Sequence, residues 1–180
     1  RPGAGASGVR TGSVQDAVRT EAKIAEDPAR WLEGFYYCAS GDAPPVPDGE
    51  RPMAWVAPGT QLRARLRYPD GPLPWLSADD LAFYAGEFAR AGFSGGLNRY
   101  RCVDLDWEDL RAFHGAPIRQ PSLFIGGEGD GPTMWGAGSI SRYSQTLPSL
   151  HASVILPAVG HWMQQSDASC LTSALLAFLR

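Results

Sequence analysis

Two residues able to do acid–base chemistry stand just past the ends of two short apolar runs. The first run, in PSLFIGGEGD, ends in a Gly-rich turn that delivers Asp130; the second, in SVILPAVGHW, ends in a turn that delivers His161. A short, continuous apolar run reads as a buried parallel strand, and ligands gather at the carboxyl ends of such strands. An imidazole oriented by a carboxylate is a general base. Asp130 and His161 therefore read as the acid and base of a nucleophile–base–acid triad, with Glu128 as a competing acid in the same turn. No strand–turn–helix elbow in the chain supplies a nucleophile; were one present, Asp16 and Asp42 would be the first carboxylates to test.

The elements that must position this pair are legible as patterns. Leu123 to Ile125 and Val154 to Leu156 read as the two strands, with a crossover helix through Ile140, Tyr143 and Leu147, as a parallel pair requires. A last helix, capped by Ser166 or Asp167, is expected to bury Leu171, Leu175, Phe178 and Leu179. Upstream, Ser13 to Tyr37 has helical spacing, with a new helix starting at Asp27-Pro28 because proline suits a first turn. Gly41 to Pro74 is broken by prolines at 44, 45, 47, 52, 58, 69, 72 and 74. A helix follows that opens at Ser77 with Asp80 as its box partner and stops at Gly92, and two shorter pieces span Asn98 to Arg101 and Asp104 to Phe113.

Composition narrows the class. The chain has 180 residues, 44% of them hydrophobic, and a net charge of −3, which suits one globular domain and gives no basic patch for nucleic acid. Cys38, Cys102 and Cys170 are widely spaced and odd in number, which suits reduced thiols in a cytoplasmic protein better than disulfides or a zinc site. No apolar run is long enough to span a membrane. The glycines at 126, 127 and 129 lack the lysine and spacing of a phosphate loop, and the acidic run Asp104, Asp106, Glu108, Asp109 has the spacing of a helix start rather than of a metal site. Arg1 in place of Met, and only two strong strands where such a sheet needs both faces covered, suggest the end of something larger.

Four segments then carry a resemblance. LPWLSADDLAFYAGEFARAGFSGGLNRYR, DWEDL, PSLFIGGEGD and VILPAVGHWMQQ resemble the cap domain and C-terminal core of the epoxide hydrolases of the α/β-hydrolase fold. The resemblance covers roughly residues 14–180 and implies a flexible stretch at 1–13, a helical cap at 14–103 and the last part of an α/β core with an incomplete parallel sheet at 104–180. It implies a two-step reaction without cofactor or metal. An Asp nucleophile opens the epoxide and forms an ester while two cap tyrosines bind and protonate the oxygen; a His oriented by an acid then activates water to release the diol.

Residue by residue, the resemblance assigns the base to His161 in GHW, the acid to Asp130 in GEGD and the second cap tyrosine to Tyr100 in LNRYR. The first cap tyrosine maps near Ser13, where GSVQDA holds none, and the family's HDWG-type nucleophile elbow does not occur. Arg99 and Arg101 are read as solvated or paired with Asp104 or Asp106, and His114 and His151 as surface residues. The expected partners are a small hydrophobic epoxide and, at most, a second copy of the chain. A haloalkane dehalogenase-like hydrolase is the runner-up, though it has no need of Tyr100, and a non-catalytic degenerate fragment is the rival from another class.

Overall fold

The computed structural model describes residues 17–46 and 62–180, and these fall into two units. The stretch through residue 13, the position of the first tyrosine near Ser13, Asp16, and Pro47, Pro52 and Pro58 lie outside the described residues.

The described part of the first unit comprises residues 17–35, 45–46, 62–68 and 78–109. It holds α1 (Ala17–Ala25), most of α2 (Pro28–Cys38), a 3₁₀ turn (Leu62–Arg65), α3 (Ala78–Ala91), α4 (Ser94–Arg101) and α5 (Val103–Asp109). The break between α1 and α2 falls where the proline predicts it. Asp27 closes the new helix by accepting the Arg30 amide through Oδ1 at 3.0 Å. Ile24, Trp31, Leu32, Leu66, Phe93 and Leu97 are buried. Trp31 stacks on Phe35 and meets Phe93 edge-on, and Phe93 stacks on Phe88 at 4.5 Å. Gly92, at φ 76°, ends α3 in the left-handed region where glycine is free of the Cβ penalty. Helix α4 starts earlier than its sequence suggests. Ser94, Gly95 and Gly96 are poor helix formers, but the Ser94 hydroxyl is bound to Glu21 of α1 at 2.5 Å and Leu97 is buried, so tertiary contacts override propensity.

The second unit comprises residues 36–44, 69–77 and 110–180. A second 3₁₀ turn (Leu110–Phe113) leads to β1 (Ser122–Gly127), then α6 (Gly131–Trp135), α7 (Ala137–Ile140), α8 (Tyr143–Thr146), β2 (Leu150–Leu156), α9 (Met163–Ser166) and α10 (Ala168–Phe178). The two strands pair in parallel, with Leu123 opposite Ala152, Ile125 opposite Val154 and Gly127 opposite Leu156. The crossover is three short helical pieces rather than one helix. Gly136 and Ser141 close the first two, and the GAGSIS stretch has too little helix propensity to bridge them.

Helix α10 is capped by Asp167, whose carboxylate accepts the Cys170 amide. Its expected burial is corrected: Leu175 and Leu179 are exposed, and Phe178 is half-buried against the His151 ring. A two-stranded sheet is too narrow to cover a whole helix face. Leu105, Trp107, Leu110 and Phe113 are exposed as well. Among the described residues no helix is long and apolar enough to cross a membrane.

Candidate active site

Asp130 and His161 meet. Each leaves the carboxyl end of its strand through a glycine-containing turn, and Asp130 Oδ1 lies 2.8 Å from His161 Nδ1. Parallel register is the cause: Gly127 and Leu156 are opposite each other, so the turns that follow leave the same edge side by side. The Glu128 amide continues the ladder by donating to the Leu156 carbonyl, and the Gly129 amide donates to the Val159 carbonyl.

Asp130 is held in a fixed pose. It is 5% exposed and is the N-terminal cap of α6: Oδ2 accepts the Thr133 amide at 3.0 Å and the Thr133 hydroxyl at 2.8 Å. Pro132 in the first turn presets the helix. With Oδ2 satisfied by Thr133, Oδ1 is left to the imidazole. Of the two acids in the GEGD turn, Asp130 is the one bonded to the ring. Glu128 turns away from the ring and accepts the Ala158 amide through Oε2 at 3.0 Å.

His161 is anchored from the other side. Its amide donates to the Ala39 carbonyl at 2.8 Å. Gly41 and Gly160 let the two backbones approach: a Cβ on Gly160 would overlap Gly41 N and Ser40 C, and one on Gly127 would overlap the Val159 carbonyl oxygen. Trp162 donates its indole N–H to the Tyr36 carbonyl at 2.8 Å and lies against the Tyr36 ring. Ala158 sits at φ 57°, a conformation that costs a residue with a Cβ about 1 kcal/mol or more. The imidazole itself is half-exposed, and its Nε2 has no partner among the described residues. An imidazole that donates from Nδ1 to a carboxylate presents a basic Nε2, the arrangement that takes a proton from water.

Sequence reasoning missed three supports of this pair. Thr133 had a signal, since Asp-Gly-Pro-Thr is a capped helix start. The Glu128 clamp on Ala158 and the Ala39–Gly41 segment had none, because their contacts run to main-chain atoms distant in sequence. Asp42 is engaged elsewhere, its Oδ2 accepting the Trp75 indole N–H at 2.6 Å.

Tyr100 belongs to the first unit, on α4, and is 60% exposed. Its neighbour Arg101 does not pair with Asp104 or Asp106. Its Nη2 binds Glu21 Oε1 at 2.9 Å and its Nη1 binds Asn98, while Arg99 does reach Asp106 at 3.1 Å. The Ser94 hydroxyl and then Arg101 hold the Glu21 carboxyl below its usual range. His114 and His151 are exposed. Among the described residues no group of His, Cys, Asp or Glu has the geometry to hold a metal ion.

Comparison with known proteins gives one consistent set. The chain matches no protein-family model. It is 35% identical over 185 residues to Epoxide hydrolase B of Mycobacterium tuberculosis, covering 93% of this chain and 51% of that one. It is 36% identical over 167 residues to an epoxide hydrolase of Caballeronia sordidicola, covering 92% and 49%. Among solved structures, an epoxide hydrolase from an endophytic Streptomyces superposes with a TM-score of 0.85 at 47% identity, covering 94% of this chain and 50% of the other. Epoxide Hydrolase A from Mycobacterium thermoresistibile superposes with a TM-score of 0.78 at 29% identity, covering 95% and 51%. The chain spans about half the length of the curated relatives it matches.

Proposed function

We propose that this chain, which is similar to epoxide hydrolases in sequence and in fold, carries the water-activating half of an epoxide-to-diol hydrolysis. In this reading a carboxylate outside the recognisable motifs of the chain attacks an epoxide carbon, breaks the ring C–O bond and forms an ester and an alkoxide. Tyr100 of a helical cap at 14–103 hydrogen-bonds that oxygen and gives it a proton. His161 Nε2 then takes a proton from water, and the hydroxide attacks the ester carbonyl, which frees the diol and regenerates the carboxylate; return of the imidazolium proton to the Tyr100 phenolate, through solvent, restores both residues. Asp130 holds the imidazole in the Nδ1–H form and stabilises the imidazolium as it forms. The substrate is a small hydrophobic epoxide, and three cysteines outside any disulfide suit a cytoplasmic setting.

The single observation that supports this reading is the 2.8 Å bond between Asp130 and His161, on a half-exposed ring whose Nε2 has no partner among the described residues. The test compares residues 1–180 with a protein that joins them to an upstream half bearing an HDWG-type elbow, and measures diol formation from a generic aromatic epoxide. Turnover is expected only in the joined protein, and to be lost there in His161→Ala. Equal turnover by the 180-residue chain would mean that it holds its own nucleophile, with Asp16 and Asp42 first to mutate.

A further inference from the structure

The site leaves one carboxylate unused. Glu128 lies two residues before the acid, yet its Oε2 accepts the Ala158 amide at 3.0 Å, three residues before His161 in the neighbouring turn. Ala158 is the one non-glycine residue at positive φ among those described. A left-handed residue with a Cβ returns to the extended or right-handed region unless its peptide groups are held. Both faces of Ala158 are held: Glu128 takes the amide on one side, and Gly41 packs so closely against the carbonyl oxygen on the other that a Cβ there would overlap it.

We infer that Glu128 is a positioning residue: its bond to the Ala158 amide keeps the turn at 157–160 in the conformation that aims His161 Nδ1 at Asp130. Two acids of one turn thus act on opposite ends of the histidine turn. Asp130 binds the ring, and Glu128 fixes the backbone from which the ring projects. The bond crosses from the β1 turn to the β2 turn, so it also ties together the two strand ends whose separation sets the Asp130–His161 distance. Glu128 is exposed, but the bond is charge-assisted and the backbone that carries the acceptor is fixed. The Glu128 amide is tied to the Leu156 carbonyl. Its catalytic meaning rests on His161 being the water-activating base; the geometric claim does not.

The test reads the ring directly. In ¹⁵N-labelled protein without substrate, nitrogen chemical shifts report which tautomer His161 holds, and free imidazole favours the Nε2–H form. The native protein is expected to hold the Nδ1–H form. Glu128→Ala is expected to shift His161 toward Nε2–H and to lower protection of the Ala158 amide against hydrogen exchange by roughly three- to tenfold, the worth of one such bond. Glu128→Gln keeps an acceptor oxygen and is expected to restore both. Protection of the β1–β2 amides serves as the folding control, and Glu128→Asp, one methylene too short to reach, replaces the alanine variant if that control fails. Native-like tautomer and exchange in the variant lacking the bond would overturn the proposal, as would a glutamine variant impaired as severely as the alanine one. Absence of epoxide turnover would count against the proposed function and leave this result unaffected.

Discussion

Thr133 binds Asp130 twice, through its amide at 3.0 Å and its hydroxyl at 2.8 Å, and both bonds fall on Oδ2. The other oxygen is thereby reserved for His161. One carboxylate serves as helix cap and as imidazole partner, and the cap fixes the direction of the partner bond. Thr133→Val keeps the amide bond and removes the hydroxyl, leaving a buried oxygen with one donor fewer. The expected loss is about 1–2 kcal/mol of stability, read from urea unfolding. Asp130→Asn keeps the shape and removes the charge; the Nδ1–H form of His161 is then no longer favoured. In a protein that joins the chain to an upstream half bearing an HDWG-type elbow, turnover is expected to fall by a factor of about 10²–10⁴ with little change in KM.

The approach of Gly160 to Gly41 carries a steric prediction. A methyl group at 160 would run into backbone atoms of Ser40 and Gly41, which cannot rotate away as a flexible side chain would. Gly160→Ala is expected to cost roughly 2 kcal/mol or more and to break the bond from the His161 amide to the Ala39 carbonyl. Thermal unfolding and exchange of the His161 amide test it; an unchanged Tm with a protected amide would show the backbones to be less closely packed.

Glu21 gives a pH prediction. Its carboxyl is held below the usual range by the Ser94 hydroxyl and by Arg101, so the folded form binds protons less readily than the unfolded chain. The contribution of such a group is present above the unfolded value near 4.5 and is lost as pH falls through the folded value. Protection of α4 amides is therefore expected to decline below about pH 4.5 in the native protein. Glu21→Gln should show lower protection at neutral pH and a flatter acid response. Identical profiles would remove Glu21 from the support of the helix that carries Tyr100.

Tyr100 is exposed, so deleting its hydroxyl is expected to leave stability within about 0.5 kcal/mol. If it is the oxygen ligand, Tyr100→Phe in the joined protein should lower turnover by a factor of about 10² or more, since removing one such donor typically costs that much. A variant of unchanged rate would take Tyr100 out of the chemistry.

Much of this was legible in the linear chain. The apolar runs at 123–125 and 154–156 mark strands that pair in parallel, but the cover on both faces that such runs imply is not met in β2, where Ile155 is exposed. The break at Asp27-Pro28 and the stop at Gly92 follow from backbone constraints that act on single residues. Leu175 and Leu179 of the last helical stretch are exposed despite their apolar spacing, because an apolar stripe says that a face seeks cover, not that this chain provides it.

By itself the sequence determined which side chains are available for acid–base work, that Asp130 and His161 follow strand ends, and which family the motifs resemble. Residue type, period and turn chemistry are local properties, and they reach no further. Tertiary structure alone decided that Asp130 rather than Glu128 faces the imidazole, since the two acids share one turn and differ only in where the backbone aims them. It alone brought the Ala39–Gly41 backbone against Gly160 and His161, through contacts between main-chain atoms. Every residue carries the same amide and carbonyl, so such contacts leave almost no mark in a sequence beyond the glycines that permit them.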